Sequence, residues 1–294
     1  MCFQKCQIEK SNGDGLVINL DISVVIITHN NYSLKEGCIE TVVFSLINQK
    51  EINFEIIIVD NYSDKDDWEK LSLFVRNINC DYDISLLRNE YNNISKGRNI
   101  GIKNAKYSLI VFMDDDILLP QKDILKKISL IYDGNNYGYS AIRSWTPANW
   151  YAQNKIAINN NFKSNCEEYK LQMDNPNPAI RKKNNNRHLI RTYIGNFGFC
   201  SKTILEKVGY WDESYYGYGV EDDTMALLLY LNFGRPVLLT DISVVHIWHK
   251  ISNDNYTELE HNRIKFNELL KKLGVSSFHV GRLLYDEDDV IEFL

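Results

Sequence analysis

The chain has no apolar run approaching the roughly 20 residues that a membrane-spanning helix requires. Its opening stretch, MCFQKCQIEKSNGDG, is polar and holds no apolar signal core, so a soluble cytoplasmic protein is expected, with peripheral membrane association left open. A basic excess is also missing. Lys and Arg number 33 against 39 Asp and Glu, a net charge of -6, which argues against a protein held mainly to nucleic-acid phosphates. Cysteines in zinc-finger or redox spacing are absent too. Cys2, Cys6, Cys38, Cys80, Cys166 and Cys200 are scattered, only the first two lie close together, and thiols are the expectation. No internal repeat is found. What is present is globular: 294 residues, 44% hydrophobic, 12% aromatic and 24% charged, enough to bury a core without cross-links.

The first half alternates strand and helix signals. Asp21–Thr28 (DISVVIIT), Phe54–Val59, Ile84–Leu87 and Ser108–Met113 read as strands, three of them continuous apolar runs suited to a sheet buried on both faces. Between them Leu34–Leu46, Trp68–Val75 and Ser95–Ala105 read as helices. This order predicts an α/β fold with a mostly parallel central sheet flanked by helices, and ligands beyond the carboxyl ends of the strands. Those ends carry Thr28-His29-Asn30, Asp60-Asn61 and Asp114-Asp115-Asp116. From residue 133 to 191 periodicity is lost among Asn runs, prolines and aromatics, which predicts loops or a lid. Glu221–Leu231 then reads as a helix, Val237–Leu239 and Ser243–Trp248 as strands, and Glu258–Leu273 as an amphipathic helix.

Three places can carry chemistry. Carboxylates crowded as in Asp114-Asp115-Asp116 repel unless a cation neutralises them, and Mg²⁺ or Mn²⁺ also bridges diphosphates; an acidic turn capping the next helix is the plainer alternative. Tyr216-Gly217-Tyr218-Gly219-Val220-Glu221-Asp222-Asp223 runs from a glycine and aromatic segment into an acidic helix start. Such acids complement the helix dipole, and one of them placed there can also serve as a general base. His246, in VVHIWH, is either a satisfied core histidine or a metal ligand.

Together these segments resemble the GT-A fold glycosyltransferases, and most of all glycosyltransferase family 2, over roughly residues 22–250. SVVIITHNN resembles that family's first strand and its uridine-contacting loop. IIIVDNYSD resembles the second, with Asp60-Asn61-Tyr62-Ser63 in the place of Asp-Asp-x-Ser. GRNIGIKNA keeps Arg98-Asn99 of an Ala-Arg-Asn-x-Gly helix, and VFMDDDILLP matches a metal-binding Asp-x-Asp strand end. VGYWDESYYGYGVEDD resembles the later Gly-x-Phe-Asp-Glu…Glu-Asp block. The second half also resembles the galactosyltransferase and polypeptide GalNAc-transferase branches, with Tyr218 for their Trp and Val220 for their Gly.

The resemblance implies a UDP-sugar donor held by Thr28, Asn30, Asp60 and Arg98, with Asp114 and Asp115 facing the nucleotide or its metal-bound water. It implies Mn²⁺ or Mg²⁺ on Asp116 and His246, with His249 as second choice. Asp222 becomes the base of an inverting transfer to a hydroxyl. Tyr218, Gly219, Glu221 and Asp223 become acceptor contacts. The acceptor is a glycan, a lipid-linked sugar or a peptide, in a setting of bacterial surface glycan synthesis. The expected division is an extension at 1–20, a catalytic domain at 21–250 and a helical extension at 251–294. A sugar nucleotidyltransferase would need a glycine-rich phosphate loop where Thr28-His29-Asn30-Asn31 stands. A non-catalytic carbohydrate-binding relative would tolerate loss of the acids.

Overall fold

A computed structural model describes residues 7–10, 16–163, 174–178, 180–183, 187–191, 194–217, 219–249, 256–274 and 282–286. Strands β1 (Gln7–Lys10) and β2 (Leu16–Asn19) pair antiparallel ahead of the main sheet. The chain then runs β3 (Ile22–Thr28), α1 (Asn31–Leu34), α2 (Ile39–Ile47), β4 (Phe54–Asp60), α3 (Lys65–Asn77), β5 (Asp83–Arg88), α4 (Ile94–Asn104) and β6 (Leu109–Asp114). These four strands lie in the order β5-β4-β3-β6, all parallel. Their apolar runs are buried on both faces. Ile22, Val24 and Ile26 pack with α2 on one side, and Val25 and Ile27 with Ile102 of α4 on the other. Register brings the polar ends level, with Thr28 opposite Asp60, Asp60 opposite Arg88 and Ile27 opposite Asp114. One rim thus collects the side chains that the hydrophobic pattern excludes from the sheet.

After β6 come β7 (Ile117–Leu118), α5 (Ile124–Ile131), β8 (Gly138–Trp145), α6 (Trp150–Lys163), β9 (Asp174–Pro178), β10 (Ile180–Lys183) and β11 (Arg187–Arg191). Then follow α7 (Ile194–Phe197), β12 (Gly198–Ser201), α8 (Lys202–Val208), α9 (Glu221–Phe233), β13 (Val237–His246), α10 (Tyr256–Lys272) and β14 (Arg282–Asp286). The sheet continues from β6 through β12, β8 and β13 to β7, with β12 antiparallel to both neighbours and β13 parallel to β8. A separate three-stranded sheet holds β10, β11 and β14. Among the described residues no helix is long and apolar enough to cross a membrane.

Three expectations are corrected. The stretch 133–191 is not loop alone. It supplies β8, inside the sheet, and the helix α6. Helix α6 escaped notice because it buries Tyr151 and Ile158 while leaving Ile156 79% exposed, so no clean stripe appears. It is seated partly by polar contacts: Thr41 Oγ1 donates to Asn159 Oδ1 and lies 2.7 Å from Tyr151 Oη. Second, the helix expected from Leu34 is broken. Glu36 (φ 56) and Gly37 (φ 67) are left-handed, and α2 starts only at Ile39, whose N–H donates to Asn31 Oδ1 at 3.0 Å. Third, the two strands expected around 237–248 are one strand with a register shift between Leu239 and Ser243. Helix α10, within the expected C-terminal extension, packs Phe266 and Leu270 with Tyr215, Val220 and Leu227.

Candidate active site

The three successive acids after the apolar part of β6 separate into two clusters, each built round one cation. Asp115 and Asp116 turn to Lys35, whose Nζ lies 2.6 Å from Asp115 Oδ1 and 2.6 Å from Asp116 Oδ2. Asp115 Oδ2 also accepts from Thr28 Oγ1 and from Asn31 Nδ2, each at 2.7 Å. Asp116 meets two imidazoles: His246 Nε2 is 3.4 Å from Oδ1, and His249 Nε2 is 3.1 Å from Oδ2. Strand pairing sets this meeting. His246 lies opposite Ile117 across β13 and β7, and Ile247 N–H donates to Asp116 O at 2.8 Å. Burial alone would raise the Asp116 pKa, but His246, Lys35 and His249 outweigh it and hold the carboxyl well below its usual range.

This group suits a divalent cation. Oxygen or nitrogen atoms of Asp116, His246 and His249 lie within 4.8 Å of one another. Asp116 Oδ1 is buried and makes no hydrogen bond among the described residues. A carboxylate with two imidazoles fits a first-row divalent ion better than Mg²⁺, which prefers oxygen.

The second cluster surrounds Arg98, buried on α4 with its guanidinium 4.2 Å from the Trp211 ring centroid. Nη1 is 3.4 Å from Glu221 Oε1 and 3.3 Å from Asp222 Oδ1, and Nη2 is 3.7 Å from Asp114 Oδ1. Asn196 Nδ2 donates to Asp114 Oδ2 at 2.6 Å. Asn99, next to Arg98, fixes Trp211 by donating to its carbonyl at 2.9 Å and accepting its N–H at 3.0 Å. Gly195 allows the close approach, since a Cβ there would collide with the guanidinium and with Asp222 Oδ1. Burial would lower the Arg98 pKa, but Asp222, Glu221 and Asp114 raise it further. Burial and the neighbouring Asp116 push the Asp114 pKa up to about 6, against the pull of Arg98 and Asn196. Burial likewise raises Glu221 in spite of Arg98.

Asp222 sits in the first turn of α9, after Gly219 (φ 90) and Val220 (φ 76). The preceding loop is held from outside by α10. Asn262 Nδ2 donates to Tyr216 O at 2.9 Å and to Gly219 O at 3.0 Å, and Asn262 Oδ1 accepts Tyr216 N–H at 3.4 Å. Tyr218 lies outside the described residues. Glu221 and Asp223 are buried, Glu221 against Arg98.

At the other end of the rim Asp60 is fully buried. Its Oδ2 accepts from Ser63 N–H at 3.2 Å and lies 3.5 Å from Arg88 Nε, while Oδ1 makes no hydrogen bond among the described residues. Burial raises its pKa despite Ser63 and Arg88. Asn30 (φ 46) donates its N–H to Ser63 Oγ at 2.8 Å and accepts Asp64 N–H at 2.7 Å, joining the first two strand ends.

Of the site residues expected from sequence, Thr28, Asn30, Asp60, Arg98, Asp114, Asp115, Asp116, Asp222 and His246 are linked along one rim, with partners that the sequence did not indicate. Arg98, expected at a nucleotide, is committed to three carboxylates. Thr28 and Asp115, expected there too, are buried on each other. His249 stands beside Asp116 on equal terms with His246. Lys35, Asn196 and Asn262 carry no motif and are not among the residues expected from sequence, nor is Trp211, although it stands inside a quoted block.

The family described as Glycosyl transferase family 2 matches residues 23–209, more than half of the chain. No curated protein matches in sequence. Among solved structures, mannosyltransferase PcManGT from Pyrobaculum calidifontis, in complex with GDP-Man and Mn²⁺, aligns at 13% identity and a TM-score of 0.53, over 88% of this chain and 65% of its own. GalNAc-T7 with UDP, GalNAc and Mn²⁺ aligns at 17% identity and a TM-score of 0.53, over 79% of this chain and 44% of its own. S. aureus TarS 1-349 in complex with UDP-GlcNAc aligns at 17% identity and a TM-score of 0.50, over 81% and 61%. This chain spans less than two thirds of each, and at such identity the likeness establishes the fold alone, the GT-A fold.

Proposed function

The chain belongs to glycosyl transferase family 2 and is a glycosyltransferase, and from that premise we propose a metal-dependent, inverting transfer of a sugar from a UDP-sugar to a hydroxyl acceptor. The observation that carries this reading is the convergence on one rim: Asp116 meets His246 and His249, while Arg98 ties Asp114 of the same strand end to Asp222. Asp116, His246 and His249 would hold the cation, Mn²⁺ in preference to Mg²⁺ by their donor set. Bound there, a divalent cation supplies positive charge for the diphosphate that leaves. The nucleotide diphosphates named for the neighbouring structures support a nucleotide-sugar donor. Asn30 and Asp60 would receive its base, and Asp114 its ribose.

Asp222 takes the proton of the acceptor hydroxyl. The freed oxygen forms a bond to the anomeric carbon as the bond from that carbon to the diphosphate breaks, and a single displacement inverts the centre. Arg98, 3.3 Å from Asp222 Oδ1, holds that carboxylate in place, so its part is positioning. Thr28, Asn31 and Asp115 brace the turn that presents Asp116. In this reading residues of 133–191 outside β8, together with the loop held by Asn262, contribute to acceptor recognition, and surface glycan assembly is the setting we favour.

A panel of nucleotide sugars, assayed for metal-dependent UDP release, tests the donor. General-base assistance is worth about 10²–10⁴-fold, so Asp222→Asn should lose transfer by that range and keep UDP binding. Asp116→Ala should lose metal-dependent UDP binding. Full turnover in Asp222→Asn, or unchanged metal-supported UDP affinity in Asp116→Ala, contradicts the roles given.

A further inference from the structure

We propose that Lys35 is a built-in counter-cation of the metal site, holding the site formed without metal and keeping its affinity for a free divalent ion low. This rests on reading Asp116, His246 and His249 as metal ligands. Asp115 and Asp116 are 3% and 2% exposed, and adjacent carboxylates this deep are costly without a nearby cation. The Lys35 ammonium lies at 2.6 Å from each. It reaches them because the helix expected from Leu34 is interrupted: Glu36 and Gly37 turn left-handed, and Lys35 falls in the break between α1 and α2.

The oxygens of Asp116 are divided by this arrangement. Oδ2 faces Lys35 and His249, whereas Oδ1 faces His246 at 3.4 Å and makes no hydrogen bond among the described residues. An incoming ion therefore finds one oxygen open and a positive charge already seated on the other. Like charges in a partly buried site repel far more than in water. The ion loads weakly alone and gains when a diphosphate brings negative charge to the same place. Asp115 is withheld as a further ligand, since Lys35, Thr28 and Asn31 occupy its oxygens.

Calorimetric titration of the nucleotide-free protein with Mn²⁺ tests this, alongside the thermal shift that Mn²⁺ causes. Lys35→Gln keeps a hydrogen-bond donor and removes the charge. It should bind Mn²⁺ at least roughly tenfold more tightly than the wild type, the scale on which a neighbouring charge moves a binding equilibrium, with a larger thermal shift. Lys35→Arg should stay within about twofold of wild type, because the charge is kept. Asp115→Asn, which leaves the ammonium to Asp116 alone, should weaken Mn²⁺ binding by roughly tenfold. Wild-type binding that is lost in Asp116→Ala, yet no tighter in Lys35→Gln and no weaker in Asp115→Asn, overturns the role of Lys35 and leaves the metal site standing. Absence of Mn²⁺ binding from the wild type and Lys35→Gln alike overturns both.

Discussion

Two cations organise one rim, and they do so by different means. Arg98 is a planar guanidinium, 2% exposed, stacked on Trp211 and shared among Asp114, Glu221 and Asp222. Lys35 is a point charge whose side chain keeps 20% exposure, and among the described residues its ion pairs are with Asp115 and Asp116. A fork of fixed donors can orient several carboxylates at once, whereas an ammonium on a flexible stem neutralises without imposing direction. The Arg98 group is accordingly suited to holding a base in place. The Lys35 group is suited to giving way when a stronger cation arrives.

The sharpest way to break this contrast is to remove each charge in turn. Arg98→Met strands three carboxylates, and breaking a buried charge group of this kind costs about 3–5 kcal/mol. Lys35→Met should cost less in urea denaturation of the metal-free protein, and much of its loss should return with Mn²⁺, whereas Arg98→Met should not be rescued by the ion. Equal losses, or equal rescue, would erase the distinction. A smaller effect sharpens it. Asn262→Ala removes three hydrogen bonds, each worth on the order of 1 kcal/mol to the folded loop, and should raise the acceptor KM by roughly fivefold, the equivalent of about 1 kcal/mol of that loss reaching binding, with Mn²⁺ and UDP affinities unchanged. A shift in metal affinity would show that the two groups are not separable. The smallest effect concerns a third acid. Asp60 has its guanidinium 3.5 Å away on a partly exposed Arg88, and burial keeps its pKa above the usual 3.8. The folded state then holds that proton more tightly than the unfolded chain. Its contribution to stability is complete below pH 3.8 and is lost as pH rises through the raised folded value. Stability of Asp60→Asn, followed against pH, should lack that decline.

Much of this was legible in the sequence because the sheet writes itself plainly. Runs such as SVVIIT and FEIIIV are apolar on both faces, and a parallel sheet is where such runs settle, so the polar residues that end them must share a rim. Asp116 was readable for that reason, and His246 as its neighbour from its resemblance to known blocks. Lys35 was not, since a helical pattern carried straight through the left-handed turn at Glu36 and Gly37. The reassignment of Arg98 was invisible because two of its three carboxylate partners, Glu221 and Asp222, lie 123 or more residues away on α9, and long-range pairing leaves no local period. Helix α6 was missed because its contacts with α2 include Tyr151 and Asn159 meeting Thr41, a polar interface that hydropathy does not register.

The run Asp114-Asp115-Asp116 looks redundant, as if one acid could stand in for another. Its surroundings say otherwise: the first answers to Arg98 and Asn196, the second to Thr28 and Asn31, the third to the two imidazoles. None is a spare. Shortening the tripeptide by one residue would leave two acids and the same number of anchored neighbours, so each survivor would inherit an address meant for another, and the tract would be less tolerant of a deletion than of any single replacement.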